Sequence, residues 1–123
     1  MNPKGYVVIL EEDALIRDLL DRWLGEAGYE VLPRQPPTSD GAAKKLPSLV
    51  IADMPRPQDG EALIRSLRAV YAAPILVLSA RFRRGLAGSA EAARRLGVKK
   101  VLPKPFTRKE LLVAVRESLE GAA

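Results

Sequence analysis

The sequence predicts a doubly wound α/β fold, with one five-stranded parallel sheet and helices on both of its faces. Three observations carry this expectation. Short, continuously apolar runs recur along the chain, helical patterns separate them, and no linker or internal repeat divides the 123 residues. Strands buried on both faces read as unbroken apolar runs. Strands that alternate with helices form parallel sheets, because each crossover helix covers a face.

The elements follow in order. Val7 to Leu10 is the first apolar run. Asp13 then supplies an N-cap, and Ile16, Leu19, Leu20, Trp23, Leu24 and Ala27 repeat at helical spacing before Gly28 stops the helix. Tyr29 to Leu32 is the second strand. From Pro33 to Pro47 the chain is proline-rich and leaves room only for a short helix over Ser39 to Lys45. Leu49 to Ala52 is the third strand. After Asp59-Gly60, the residues Leu63, Ile64, Leu67 and Val70 mark a helix. Ile75 to Leu78 is the fourth strand, and Ala90 to Leu96 is a helix closed by Gly97. Val101-Leu102 is a weak fifth strand. The last helix opens on Thr107 and Glu110 at capping-box spacing and buries Leu111, Leu112, Val115 and Leu119.

Composition excludes several classes. The chain is 47% hydrophobic and 28% charged, an ordinary globular mixture. No apolar run approaches the ~20 residues of a membrane span. The first apolar run comes too early and is too short for a secretory h-region, so a cytoplasmic protein without a membrane association is expected. With no cysteine and no histidine, disulfides, thiolate chemistry, the usual general base and the commonest zinc ligand are all absent. Neither a nucleophile elbow nor a phosphate-cradling glycine motif is present, so no enzyme is expected.

The net charge of +5 is unevenly distributed. Between Ser79 and Lys109 lie Arg81, Arg83, Arg84, Arg94, Arg95, Lys99, Lys100, Lys104, Arg108 and Lys109, opposed only by Glu91. A basic stretch suits a solvated face or an acidic protein partner. Nucleic acid is the less expected use of it. Like charges there oppose symmetric self-pairing, so a monomer or weak dimer is expected.

Ligands of open α/β sheets bind beyond the carboxyl ends of the strands. Here the first strand is followed by Glu11, Glu12 and Asp13, the third by Asp53, the fourth by Ser79 and the fifth by Pro103-Lys104-Pro105. Each has a structural reading of its own: an acidic turn and helix cap, a strand-ending turn, a hydroxyl cap, a surface lysine. Together they describe a different chemistry. Crowded carboxylates repel, and a hard divalent cation such as Mg²⁺ relieves the conflict while accepting phosphate oxygens. Lys104 adds a positive charge, Ser79 a hydroxyl donor, and Asp53 a carboxylate able to carry a covalent phosphoryl group.

The segments VVILEED, LVIAD, PILVLSA and VLPKPF, in this order and at these strand ends, resemble the response-regulator receiver family across essentially the whole chain. The resemblance implies one receiver domain over residues 1–123, flavodoxin-like, with strand order 2-1-3-4-5. It implies a phosphoryl group passed from a histidine kinase or histidine phosphotransfer protein to Asp53. Mg²⁺ would be held by Glu11, Glu12, Asp53 and a backbone carbonyl such as that of Pro55. Ser79 would move to the phosphoryl group and Lys104 would pair with it. The surface formed by the fourth helix, fifth strand and fifth helix would then switch toward a downstream protein partner. A cis Lys104-Pro105 bond is implied as well. Five features depart from the family pattern. They are the Glu11-Glu12 pair, a loop from Asp53 to Gly60 about one residue short with two prolines, Val101 where the family usually has an aromatic, the shortened, proline-rich second-helix region, and a connection from Ser79 to Lys104 a few residues longer than usual. The first three favour an alternative, a pseudo-receiver that binds partners without phosphorylation.

Overall fold

In the computed structural model, residues 4–32, 46–56, 59–79 and 86–120 are described. They form β1 (Tyr6–Leu10), α1 (Ala14–Glu26), β2 (Glu30–Leu32), β3 (Leu49–Asp53), α2 (Gly60–Val70), β4 (Ile75–Ser79), α3 (Leu86–Leu96), β5 (Lys100–Pro103) and α4 (Arg108–Glu120). The strands make one sheet in the order β2-β1-β3-β4-β5, and every pairing is parallel. This is the flavodoxin-like arrangement that the sequence led one to expect. The short helix expected over Ser39 to Lys45 lies outside the described residues, as do Arg81, Arg83 and Arg84. Thus α3 and α4 correspond to the fourth and fifth helices of the expected series.

The period-2 alternation of the strands sorts their side chains onto two faces. Val7, Ile9, Ile51, Leu76 and Leu78 pack with Leu20 and Leu24 of α1 and with Leu111 and Val115 of α4. Val8, Val50, Ala52 and Val77 pack on the other side with Ile64 and Leu67 of α2 and with Ala92 and Ala93 of α3. Central strands β3 and β4 have both faces covered, which explains their unbroken apolar runs. Trp23 meets Phe106 edge-on at 6.5 Å, fastening α1 to the segment that leads into α4.

Local signals decide most of the boundaries. The Asp13 side chain accepts hydrogen bonds from the Leu15 and Ile16 amides at 2.9 and 3.2 Å, capping α1. Gly28 follows with φ of 101°, and Gly97 closes α3 with φ of 74°. At α4 the capping box is complete. The Glu110 amide donates to Thr107 Oγ1 at 3.0 Å, and the Thr107 amide donates to Glu110 Oε1 at 2.8 Å.

Four expectations need adjustment. Helix α3 begins at Leu86, four residues before the expected Ala90. Leu19 and Val70, assigned by periodicity to buried faces, are exposed. Leu20 and Leu24 carry the buried stripe of α1, and Leu19 falls at its edge. Val70 is the last residue of α2 and projects past the packed turns. Finally, Asp53 and Ser79 are the terminal residues of β3 and β4 rather than the residues that follow them.

Candidate functional site

Parallel strands carry their C-terminal residues to one end of the sheet, so β1, β3, β4 and β5 deliver Glu11, Asp53, Ser79 and Lys104 to a common edge. Lys104 is the organiser. Its Nζ donates to Asp53 Oδ1 at 2.7 Å and to Glu11 Oε1 at 2.9 Å. These partners lie 51 and 93 residues away along the chain. The backbone holds the lysine in place too, since its amide donates to the Ser79 carbonyl at 2.9 Å. The Lys104-Pro105 peptide bond is cis, as expected.

The acidic loop is shaped by its own hydrogen bonds. Glu11 is buried, and its Oε2 accepts from the Asp13 amide at 3.2 Å while its Oε1 faces Lys104. The Glu11 carbonyl accepts from the Arg17 guanidinium at 3.3 Å, so the first turn of α1 reaches back to hold the loop. The Arg17 contact is the part of the site that sequence reasoning did not find. A cation one turn past the cap was its only trace in the sequence. Glu12, one position on, is exposed. Ser79 is wholly buried at the end of β4, where its carbonyl serves Lys104.

Burial disfavours the Lys104 ammonium. The hydrogen bonds it donates to Asp53 and Glu11, reinforced by the charges of both carboxylates, outweigh that penalty and raise its pKa above lysine's ordinary value. Lys104 is therefore a firmly protonated clasp between two carboxylates. Only Asp53 Oδ1 is engaged in it. Asp53 Oδ2 accepts no hydrogen bond from another described residue.

Of the residues expected to hold a metal, Glu11 and Asp53 converge on a single cation. Among the described residues no group of three acidic side chains gathers into a ligand cluster. Two carboxylates facing one positive centre fit a hard divalent ion. Mg²⁺ takes one or two carboxylates and keeps several waters. The basic stretch seen in sequence is also divided by the fold. Lys104 turns inward, Lys100 pairs with Glu117 at 2.6 Å, and Arg108 approaches Glu26 at 3.4 Å.

Comparison with known proteins agrees with this geometry. Residues 7–116 match the family model described as the response regulator receiver domain. The chain is 35% identical over 121 residues to Protein PetR of Rhodobacter capsulatus, covering 93% of this chain and 48% of that protein. It is 36% identical over 116 residues to the transcriptional regulatory protein PdtaR of Mycobacterium tuberculosis, covering 89% of this chain and 54% of that one. The chain thus spans about half the length of these curated relatives. Among solved structures, a response regulator receiver protein from Burkholderia phymatum superimposes with a TM-score of 0.69 at 25% identity, covering 95% and 96% of the two chains. A response regulator described as putative, from Chloroflexus aurantiacus, gives 0.68 at 28% identity, covering 94% and 98%. Sheet order, the lysine-clasped carboxylates at the strand ends and these matches lead to one conclusion: the chain belongs to the response regulator receiver domain family of two-component signalling.

Proposed function

We propose that Asp53 accepts a phosphoryl group from a phosphohistidine of a histidine kinase or histidine phosphotransfer protein, and that the chain thereby changes the surface it offers a downstream protein. One observation carries this reading. Asp53 ends a buried central strand with one oxygen held by Lys104 and the other without a partner among the described residues. The free oxygen attacks phosphorus, the phosphorus–nitrogen bond breaks, and the donor imidazole, already protonated on its other ring nitrogen, takes the bonding pair and leaves neutral. Lys104, already between the two carboxylates, pairs with a phosphoryl oxygen. Ser79 donates its hydroxyl after leaving its buried position. Bound Mg²⁺ supplies charge neutralisation for the phosphoryl oxygens. Glu11 and Asp53 would hold it, with Glu12 beside them and the Pro55 carbonyl on the adjoining loop. The protein acts as a stoichiometric acceptor, not as a turnover enzyme, in the cytoplasm where its kinase donor works.

The test is intact mass after incubation with acetyl phosphate, with and without Mg²⁺, for the wild type and Asp53→Asn. The expected result is one added phosphoryl group, dependent on Mg²⁺ and absent in the variant. A second reading is favoured by the exposure of Glu12 and the closure of Lys104 onto both remaining carboxylates. In it the chain is a pseudo-receiver whose site is held by lysine alone. A wild type that gains no mass and binds no Mg²⁺ by calorimetry selects this second reading.

A further inference from the structure

At the end of the sheet where its parallel strands begin, a cleft of about 560 Å³ opens between the C-terminus of α2 and the turn that joins α3 to β5. Strand β4 starts in it at Ile75 and ends at Ser79, so about 13 Å of strand separates the cleft from the edge that carries Asp53. Part of its lining is apolar. Tyr71, Ala73 and Val98 are half-buried there and pack against the core, and Pro74 lies beside them. The rest is cationic. Arg68 and Lys99 line the cleft, and Arg95 stands exposed in the last turn of α3.

The fold sets Arg68 in place, since its Nη2 donates to the Gly97 carbonyl just past α3. A guanidinium carries several N–H donors, so this bond fixes the group and leaves the others for a ligand. Neutralising helix ends does not use up the charge here. Helices α2 and α3 both end at the cleft, and each C-terminus presents roughly half a negative charge. Arg68, Arg95 and Lys99 together exceed that by about two charges, and Arg95 makes no ion pair with any described residue.

We infer that this cleft binds a nucleotide, with its phosphate on Arg68 and Lys99 and its base over Tyr71 and Pro74. Three arguments select that ligand. The surplus charge matches a phosphate monoester, which carries about −1.5 to −2 at neutral pH and whose oxygens suit the paired donors of a guanidinium. An apolar lining with one aromatic ring suits a flat base, on which such rings stack. It disfavours a sugar phosphate, whose hydroxyls would lie against carbon without partners. The volume also falls in the range of about 300–1,000 Å³ that small-molecule sites occupy. The end of a nucleic-acid strand shares this chemistry. The enclosed size of the cleft favours the free nucleotide over the strand. The site stands apart from Asp53 and does not depend on phosphotransfer.

The test titrates the full chain in a calorimeter with nucleoside 5′-monophosphates, alongside the parent nucleosides, inorganic phosphate, glucose 6-phosphate and a short 5′-phosphorylated oligonucleotide. At least one nucleotide is expected to bind about tenfold or more tightly than its nucleoside, inorganic phosphate or the sugar phosphate. Amide shifts on binding should map to residues 71–73 and 97–99. Arg68→Gln, an exposed position, weakens binding about tenfold, and Arg95→Gln weakens it a few-fold. Arg116→Gln, exposed on α4 and outside the cleft, leaves it unchanged. Circular dichroism melts confirm that these surface variants fold. The inference is overturned by nucleotides that give neither heat nor shifts at millimolar concentration, or by shifts confined to the Asp53 edge. It is also overturned by inorganic phosphate or glucose 6-phosphate binding as tightly as the best nucleotide, or by an affinity that Arg68→Gln leaves unchanged. An oligonucleotide held more tightly than any free nucleotide overturns the free nucleotide as the ligand.

Discussion

Two lysines four positions apart make ion pairs of nearly equal length in different surroundings. Lys104 meets Asp53 and Glu11 at 2.7 and 2.9 Å, with side-chain exposures of 17%, 19% and 3% for the three. Lys100 meets Glu117 at 2.6 Å, with exposures of 40% and 44%. Distance alone would rank the second pair higher. Burial reverses the ranking, since water screens the exposed pair and side-chain entropy offsets most of what remains. The sheltered clasp instead holds two carboxylates that would otherwise repel each other with little solvent to help. The comparison separates a charge that maintains a site from one that tunes a surface.

The largest effect should come from Lys104→Met, which leaves Glu11 and Asp53 facing each other. Chemical denaturation should show a loss of about 2 kcal/mol at neutral pH, below the range for fully buried pairs because the site is partly open to water. A Lys104→Met chain as stable as the wild type at neutral pH would place the two lysines in one class.

Next in size is the alkaline response. The Lys104 pKa is raised in the folded state, so the folded chain holds this proton more tightly than the unfolded chain does. Its contribution is fully present below the ordinary lysine value of 10.5 and is lost as pH rises through the higher folded value. Thermal melts of the wild type should therefore fall more steeply above that pH than those of Lys104→Met. Parallel curves would remove the clasp as their cause.

Glu11→Gln is a smaller perturbation. The amide oxygen can still accept from Lys104, but the charge is gone and one carboxylate carries the pair alone. A cost of about 1 kcal/mol is expected in denaturant titration. The least effect should follow Lys100→Ala, within about 0.5 kcal/mol of wild type and smaller still with added salt. A loss above 1 kcal/mol there would show that the Lys100–Glu117 pair is part of the fold's support.

The same contrast explains how much could be read from the sequence. Strand positions were legible because two covered faces force continuous apolar runs. The ends of α1 and α4 were legible because Asp13, Gly28 and the Thr107–Glu110 pair act within a few residues of themselves. The site's members were legible from strand-end position. Their bonding was not. Lys104 was legible as the cation of the strand-end set, but its donation to carboxylates 51 and 93 residues away appears only once the sheet is assembled. The early start of α3 was hidden because Leu86 to Ser89 contains Gly88, which weakens a helical pattern locally. The exposure of Leu19 was hidden because periodicity places a residue on a stripe without saying where the stripe ends.

The short strand β5 has a thermodynamic consequence. Its last residue, Pro103, lines a cleft between α3 and α4, and the next residue is the lysine that holds Asp53. Linkage between two binding sites is reciprocal: the factor by which one occupant changes the affinity for the other applies equally in reverse. Any ligand that favoured one placement of Lys104 would alter the affinity of the two carboxylates for a cation by the same factor that the cation would alter the hold on that ligand. Occupancy of either site would then set the concentration at which the other fills.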